Sequence, residues 1–364
     1  MKAFFNGVLL LALVAPTLLS SFLWAAKRSY ERPPERVVDI MAAPTTARLS
    51  LSARGDKVAL SHWPISCSIE DLARPYDTLA GLKLNPKQKA RFRTRFYHSL
   101  EIVSLLSKTR KARELDLEPG AQVSRVRWTW DGENLLFCRW RENGVELWMA
   151  HGESAQCRRL LGPRLSNVLG DFYHRSPDPR RILLRLTPKD MLQKELPRNP
   201  KIPRGPIVQE TFSEKAALRT YQNLLETPGD EERFAALATS QLALLDLDSG
   251  EMRKVGEPGL YASLDFSPNG EYLLVTRYRR PFSYDVPYYR FARNIEIWNL
   301  RNGKVKVLAE QDIADDIPIR GVRTGMRGVQ WHQGRDSRLL WLEALDGGDP
   351  EREVEYRESL IYMD

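Results

Sequence analysis

Histidine and cysteine are scarce in this chain of 364 residues, with five of the first and three of the second. So few leave little from which to build a multi-ligand metal centre or a disulfide framework. Cys67, Cys138 and Cys157 fit neither a Cys-x-x-Cys redox pair nor a zinc ribbon, and the odd count leaves at least one thiol free. Cys138 and Cys157 fall within one repeat and are the candidates for a bond; small buried apolar residues are the plainer reading. Also missing are His-Glu-x-x-His, a P-loop, Gly-x-Gly-x-x-Gly and the Gly-x-Ser-x-Gly elbow whose strained turn presents a nucleophilic serine. The nearest approach to the elbow, Gly152-Glu153-Ser154-Ala155-Gln156, has Gln156 where the second glycine belongs. It also lies between two strands rather than before a helix, so it reads as a hairpin turn. No catalytic, cofactor-binding or metal-ligating residue is assigned, and no cofactor is implied. A large excess of one charge is absent as well: 55 basic against 47 acidic residues are scattered along the chain, a poor basis for a nucleic-acid partner.

What is present is an ordinary globular composition, 42% hydrophobic and 28% charged, carrying one repeated phrase. Residues 49–60, 126–137 and 264–275 align without gaps. Each has an apolar or aromatic residue (Leu51, Trp128, Phe266) four before a turn glycine (Gly55, Gly132, Gly270), then three apolar residues. A looser copy runs from Val329 through Gly334 to Trp341. Strands with a central aromatic follow, as in Glu146-Leu147-Trp148 and Glu296-Ile297-Trp298. Such repeats predict an all-β fold, a β-propeller of about five four-stranded units over 46–364, with the last unit incomplete.

The first unit takes 49–51 and 58–60, is interrupted, and resumes at 100–106 and 112–117. The second takes 123–128, 135–140, 145–149 and 156–161, with Asp131-Gly132 and Asn143-Gly144 as hairpin turns. The third starts near Leu165 and includes 182–186, 242–247 and 252–255; the fourth spans 261–309; the fifth runs from Val322 to 359–363. Residues 27–45, with Glu31-Arg32-Pro33-Pro34-Glu35, read as a linker, in which Val37-Val38-Asp39-Ile40 could supply a closing strand to the fifth unit.

Before the linker, 1–26 reads as a signal peptide or a membrane anchor. Lys2 precedes an apolar stretch over 4–26 that as a helix would be about 34 Å long, enough to cross a hydrocarbon core of about 30 Å. Export follows, to the periplasm or to a membrane-anchored position facing it.

Two insertions interrupt the repeat. One, over about 188–239, is proline-rich to Pro206, then opens a helix at Thr211-Phe212-Ser213-Glu214 that continues to about Glu226, with a second helix over 230–238. The other, 280–293, gathers Phe282, Tyr284, Tyr288, Tyr289 and Phe291, read as packing over a propeller face. Three further stretches invite chemistry and have plainer explanations. Gly321 to Gly328 could hold an anion on its amides but reads as a loop leading into a blade. Asp346-Gly347-Gly348-Asp349 with Glu351, Glu353 and Glu355 offers oxygens for calcium without a known loop spacing, and reads as a solvated turn. Lys87, Lys89, Arg91, Arg93 and Arg95, alternating with Phe92 and Phe96, read as a solvated basic face.

The insertions also carry a resemblance. Asp71-Leu72-Ala73 with Leu79-Ala80-Gly81-Leu82, Arg204-Gly205-Pro206, the run from Arg219 to Leu225, Thr239-Ser240-Gln241-Leu242, the run from Arg280 to Tyr284, Asp316-Ile317-Pro318 and the run from Trp341 to Pro350 occur in one order. In this the chain resembles the amino-terminal propeller of glutamyl endopeptidase-type serine peptidases, a branch of the prolyl oligopeptidase family. Ser52-Ala53-Arg54-Gly55 and Trp130-Asp131-Gly132 are loose forms of that family's Ser-Pro-Asp-Gly turn, and Arg357-Glu358 stands where it tends to have Arg-Asp. The resemblance implies a propeller limiting access to the Ser-Asp-His site of an α/β-hydrolase domain, which this sequence lacks. Peptide substrate, or a separately encoded hydrolase domain, is the implied partner, and the chain alone is expected to be inactive. A stand-alone periplasmic binding or scaffold propeller is the competing expectation.

Overall fold

The computed structural model describes residues 32–43, 45–192, 195–197 and 220–364. The apolar stretch 4–26 and the helix start at Thr211 to Glu214 lie outside them. Two compact units, Met1–Thr45 and Thr46–Asp364, are resolved by their contacts. The described part of the first is helix α1 (Glu35–Ala42), so the linker is not wholly irregular and Val37 to Ile40 are not a closing strand. Pro34 ahead of the helix and Glu35 in its first turn are the local cause. Among the described residues no helix is long and apolar enough to cross a membrane.

The second unit is a β-propeller of five antiparallel blades. Blade 1 comprises β1 (Arg48–Leu51) and β2 (Lys57–His62), then, after helix α2 (Ile69–Ala73) and a small sheet of β3 (Asp77–Leu79), β4 (Leu82–Asn85) and β5 (Ala90–Arg91), the strands β6 (Ser99–Ser104) and β7 (Ala112–Glu114). Blade 2 is β8 (Gln122–Trp128), β9 (Asn134–Arg141), β10 (Gly144–His151) and β11 (Cys157–Leu165). Blade 3 opens with β12 (Tyr173–Arg175) and β13 (Arg181–Leu186). Helices α3 (Lys189–Leu192) and α4 (Pro228–Ala238) intervene before β14 (Ser240–Asp246). The long strand β15 (Met252–Phe266) closes blade 3 and opens blade 4: Val255 pairs with Leu242, and Leu264 with Val275. Blade 4 continues with β16 (Tyr272–Tyr278), β17 (Arg293–Asn299) and β18 (Val305–Gln311). Blade 5 has three strands, β19 (Arg327–Trp331), β20 (Leu339–Ala344) and β21 (Glu358–Met363).

The repeated phrase is a turn with one hydrogen-bond recipe. Ser52, Thr129 and Ser267 each donate their amide to the carbonyl five residues on (Lys57, Asn134, Tyr272). Each hydroxyl then accepts the amide of that same residue, at 3.1, 3.1 and 3.0 Å. Gly55, Gly132 and Gly270 take φ of 71°, 70° and 71°, a left-handed conformation that costs a side chain dearly and glycine little. Ser176 in blade 3 makes the first of these bonds, donating to Arg181 O, but its hydroxyl accepts from the Asp178 amide at 3.3 Å, and Pro179 stands where the glycine falls elsewhere. The Glu-x-Trp strands have their own recipe. Residues two apart share a sheet face, so the Trp148 and Trp298 indoles donate to Glu146 and Glu296 at 2.8 Å each. Both carboxylates are buried and are also paired with arginines, Arg141 and Arg159 for one and Arg277 for the other.

Between blades lie apolar cores. Leu100, Ile102, Trp128, Leu135 and Phe137 join blades 1 and 2; Leu136, Leu147, Met149, Ile182 and Leu184 join 2 and 3. Leu183, Leu244, Phe266, Leu273 and Val275 join 3 and 4; Leu274, Ile295, Trp331 and Leu339 join 4 and 5. Each fully buried side chain of this size contributes roughly 1.5–3 kcal/mol. The first strands also touch directly, which puts them at the inner edge. Trp128 Nε1 donates to Ser50 O at 2.8 Å, and Trp331 Nε1 to Asp265 O at 3.0 Å. Arg175 Nη1 donates to Trp128 O at 3.1 Å.

Candidate functional site

In an antiparallel blade every connection from second to third strand leaves from the same end, and the long insertions occupy that connection in blades 1, 3 and 4. They therefore meet on one side of the propeller. Leu79, Leu82 and Leu84 from blade 1, Leu225, Phe234 and Leu237 from blade 3, and Phe282, Val286 and Phe291 from blade 4 share one core. Phe234 packs edge-on to Phe282 and Phe291, with ring centroids 5.3 and 5.9 Å apart. The aromatic insertion is thus chiefly packing, while Tyr284 and Tyr289 reach solvent. Helix α4 starts with a capping box between Thr227 and Asp230. Residues 220–226 are not helical as expected, since Asn223 takes φ of 60° and Leu225 turns into the shared core.

Arginines fasten this cap. Arg233 meets Asp77 at 2.6 Å; Arg280 meets Glu231 and Glu232 at 3.0 and 2.8 Å. Arg91 donates to Val168 O at 2.9 Å and to the Tyr288 hydroxyl at 2.8 Å, so the run 87–95 is not a solvated basic face. Lys87, pairing with Glu142 at the surface, and the exposed Arg95 still fit that description. Lys89 is buried, and burial lowers its pKa; Phe96 is buried against Trp140.

Beside the cap, the connection from blade 4 to blade 5 borders a cleft of about 430 Å³, lined by Asp312, Asp316, Arg323, Thr324, Met326 and Gly347 among others. Its lining carries the carboxylates Glu310, Asp312 and Asp316 against the guanidinium of Arg323. Arg279 bonds Asp312 at 2.6 Å, Arg290 bonds Ala314 O at 2.7 Å, and Arg323 donates to Asp312 O and Arg290 O. Burial, then the neighbouring Arg293 charge, pushes the Arg323 pKa down to about 10, so it stays cationic at neutral pH. The glycine-rich stretch 321–328 supplies this wall as a loop leading into blade 5, with Val322 N–H donating to Gly348 O at 3.0 Å. The Asp346 loop is thereby committed to structure. Asp346 is buried, accepts from the Gly348 amide at 2.8 Å and pairs with Arg357 at 3.0 Å; the amide first, then the guanidinium, hold its carboxyl below the usual range. Asp346 itself is thus not solvated, while Asp349, Glu351, Glu353 and Glu355 are exposed as expected of a solvated turn. Among the described residues no group of three or more metal donors is assembled.

Ser154 lies in the exposed turn between β10 and β11, its hydroxyl 3.3 Å from His151 Nδ1. The same nitrogen faces the Ser154 amide at 3.2 Å, and Glu153 is turned away to Lys57. That geometry caps a turn and presents no oxyanion site. Cys138 and Cys157 stand on β9 and β11, with β10 between them; all three cysteines are free. Burial pushes the Cys138 thiol far up and Cys157 to about 11.

The fold and its cap define a β-propeller with one elaborated side, a class that hosts many activities. Within that class the chain resembles the glutamyl endopeptidases over nearly its whole length. It is 32% identical over 356 residues to a probable chloroplastic glutamyl endopeptidase of Oryza sativa subsp. japonica, covering 94% of this chain and 37% of that protein. With a probable chloroplastic glutamyl endopeptidase of Arabidopsis thaliana it shares 34% over 348 residues, 92% of this chain and 36% of that one. The chain thus spans little more than a third of the length of these relatives. No family model matches it. Among solved structures, Pyrococcus horikoshii acylaminoacyl peptidase aligns with a TM-score of 0.44 at 13% identity, over 90% of this chain and 39% of its own. The β-propeller domain of the Trilobed protease from Pyrococcus furiosus aligns at 0.42 and 15%, over 88% and 69%.

Proposed function

We propose that this chain is the propeller portion of an exported serine peptidase of the prolyl oligopeptidase family, of the glutamyl endopeptidase type. In this reading it governs peptide access to an α/β-hydrolase domain, and the propeller portion is inactive without that domain. One observation carries the proposal: the similarity to glutamyl endopeptidases extends over 94% of the chain while no Gly-x-Ser-x-Gly occurs in it. The cap adds a physical reason, because three insertions build a second packed layer on one side only, where a partner domain would find a shaped surface. Export rests on the apolar stretch 4–26, either cleaved or kept as an anchor.

Two measurements test the reading. The purified chain should take up no fluorophosphonate probe, and stoichiometric labelling of any serine would refute the inactivity. Alkaline phosphatase fused after Thr45 should be active in cells, since that enzyme needs an oxidising compartment to form its disulfides. An inactive, cytoplasmic fusion would remove export from the proposal.

A further inference from the structure

Where blade 2 meets blade 3, a cleft of about 340 Å³ lies between the ends of β11 and β13, the start of the blade 3 insertion and strand β15. That volume is at the small end for ligand pockets. Leu165 pairs with Leu186 and the Thr187 amide donates to Arg164 O at 2.8 Å, so Arg164 is fixed at one wall. Lys254 stands opposite Ala243 in the ladder of β14 with β15, and Met252, two residues earlier, shares its face. Leu186 and Ala243 are buried while Met252 is exposed, which gives the cleft an apolar side open to solvent.

Arg164, Lys189 and Lys254 line this cleft against one carboxylate, Asp190, which leaves a net of two positive charges. Other arginines of β11 are already engaged: Arg158 donates to Leu247 O, and Arg159 pairs with Glu146 at 3.2 Å. Among the described residues none of the three lining cations is in an ion pair. Arg164 has one long contact, Nη2 to Thr187 O at 3.5 Å, and its buried Nε has no partner. Burial alone lowers its pKa, so no neighbouring carboxylate offsets the desolvation. The charge of Asp190 acts on the buried Lys89, whose Nζ also lacks a partner. Buried donors left unused are costly, and a ligand that accepts from them removes the cost. We propose that this cleft binds a phosphate monoester carried on a small apolar body. Such an ester carries a charge of about −1.5 to −2 at neutral pH, which matches the lining. The guanidinium fork and the two ammonium groups suit its oxygens, and Leu186, Ala243 and Met252 receive the apolar part.

Isothermal titration of the full chain with phenyl phosphate should show one site, with affinity about tenfold above that for inorganic phosphate or benzoate and falling as sodium chloride is raised. The Met252 methyl, labelled with carbon-13 and assigned through Met252→Leu, should shift during the titration and so place the ligand. Lys189→Glu with Lys254→Glu alters two exposed side chains, which keeps the fold, and should lower the affinity by about thirtyfold or more; Arg164→Gln should lose about tenfold. Pelleting with phosphatidic acid vesicles that the double glutamate variant loses would assign the phosphate to a lipid headgroup. Binding of phenyl phosphate without such pelleting assigns it to a soluble ester. No heat at millimolar phenyl phosphate, benzoate bound as tightly, or binding that neither the Met252 methyl nor the double variant registers overturns the proposal.

Discussion

Replacing Arg185 with alanine is expected to destabilise the propeller by about 3–5 kcal/mol, read as a drop in the urea midpoint followed by circular dichroism. Arg185 is among the largest fully buried side chains, on β13 of blade 3. Its guanidinium donates to Tyr261 O and, at 3.2 Å, to Ala262 O, where the ladder of β15 with β16 shifts register. Ala262 is the residue the shift leaves out of the pairing, and its carbonyl and that of Tyr261 both have the arginine as partner. Alanine would strand them in a dry interface and leave a cavity. Lysine keeps the charge but not the fork, so Arg185→Lys should fall between, losing about 1–2 kcal/mol. Gly170 is part of the arrangement, since a Cβ there would lie 2.7 Å from Arg185 Nη2. An alanine variant that unfolds at the wild-type midpoint would show that water already serves these carbonyls.

Nothing in the sequence marks Arg185 for this role, because its partners are backbone atoms and any residue could supply them. The same distinction separates what was legible from what was not. Blades 2 and 4 could be read strand by strand, since alternating apolar residues and turn glycines at φ near 70° are local properties. Strand β12 of blade 3 was not legible, although Ser176-Pro177-Asp178 marks its turn, because Pro179 stands where the repeat has its glycine. Helix α4 was visible in its capping residues. The cap was not, for its core joins Leu84, Phe234 and Phe282, which are far apart in sequence and meet only through the topology. In residues 220–226 apolar spacing that suggested a helix serves that core instead. In the acidic turn the burial of Asp346 was hidden for a similar reason: it finds Arg357 across a hairpin, not along it.

The second large effect is expected with acid. His174 on β12 has a buried Nε2 without a hydrogen-bond partner. Burial first, then the positive charges of Arg185, Arg125 and Arg127, push its pKa down to about 3. An unfolded chain holds its histidine near the ordinary value of about 6.5. Above that value both states are neutral at this site and it contributes no pH dependence. Between about 6.5 and 3 the unfolded state binds a proton that the folded state refuses, so stability falls as pH falls, by about 1.4 kcal/mol per unit. By pH 4.5 the loss attributable to His174 reaches about 2–3 kcal/mol. His174→Gln removes the titration, so its stability relative to the wild type should rise by that amount between pH 7 and pH 4.5. Carboxylates titrate alike in both proteins and cancel in the difference. Parallel stability profiles for the two across this range would mean that the imidazole is protonated in the fold after all. Because Arg185 is the largest of the three charges acting on it, Arg185→Lys should leave the acid slope in place while Arg185→Ala softens it. The pH profile therefore distinguishes loss of the charge from loss of the fork at the same buried contact between blades 3 and 4.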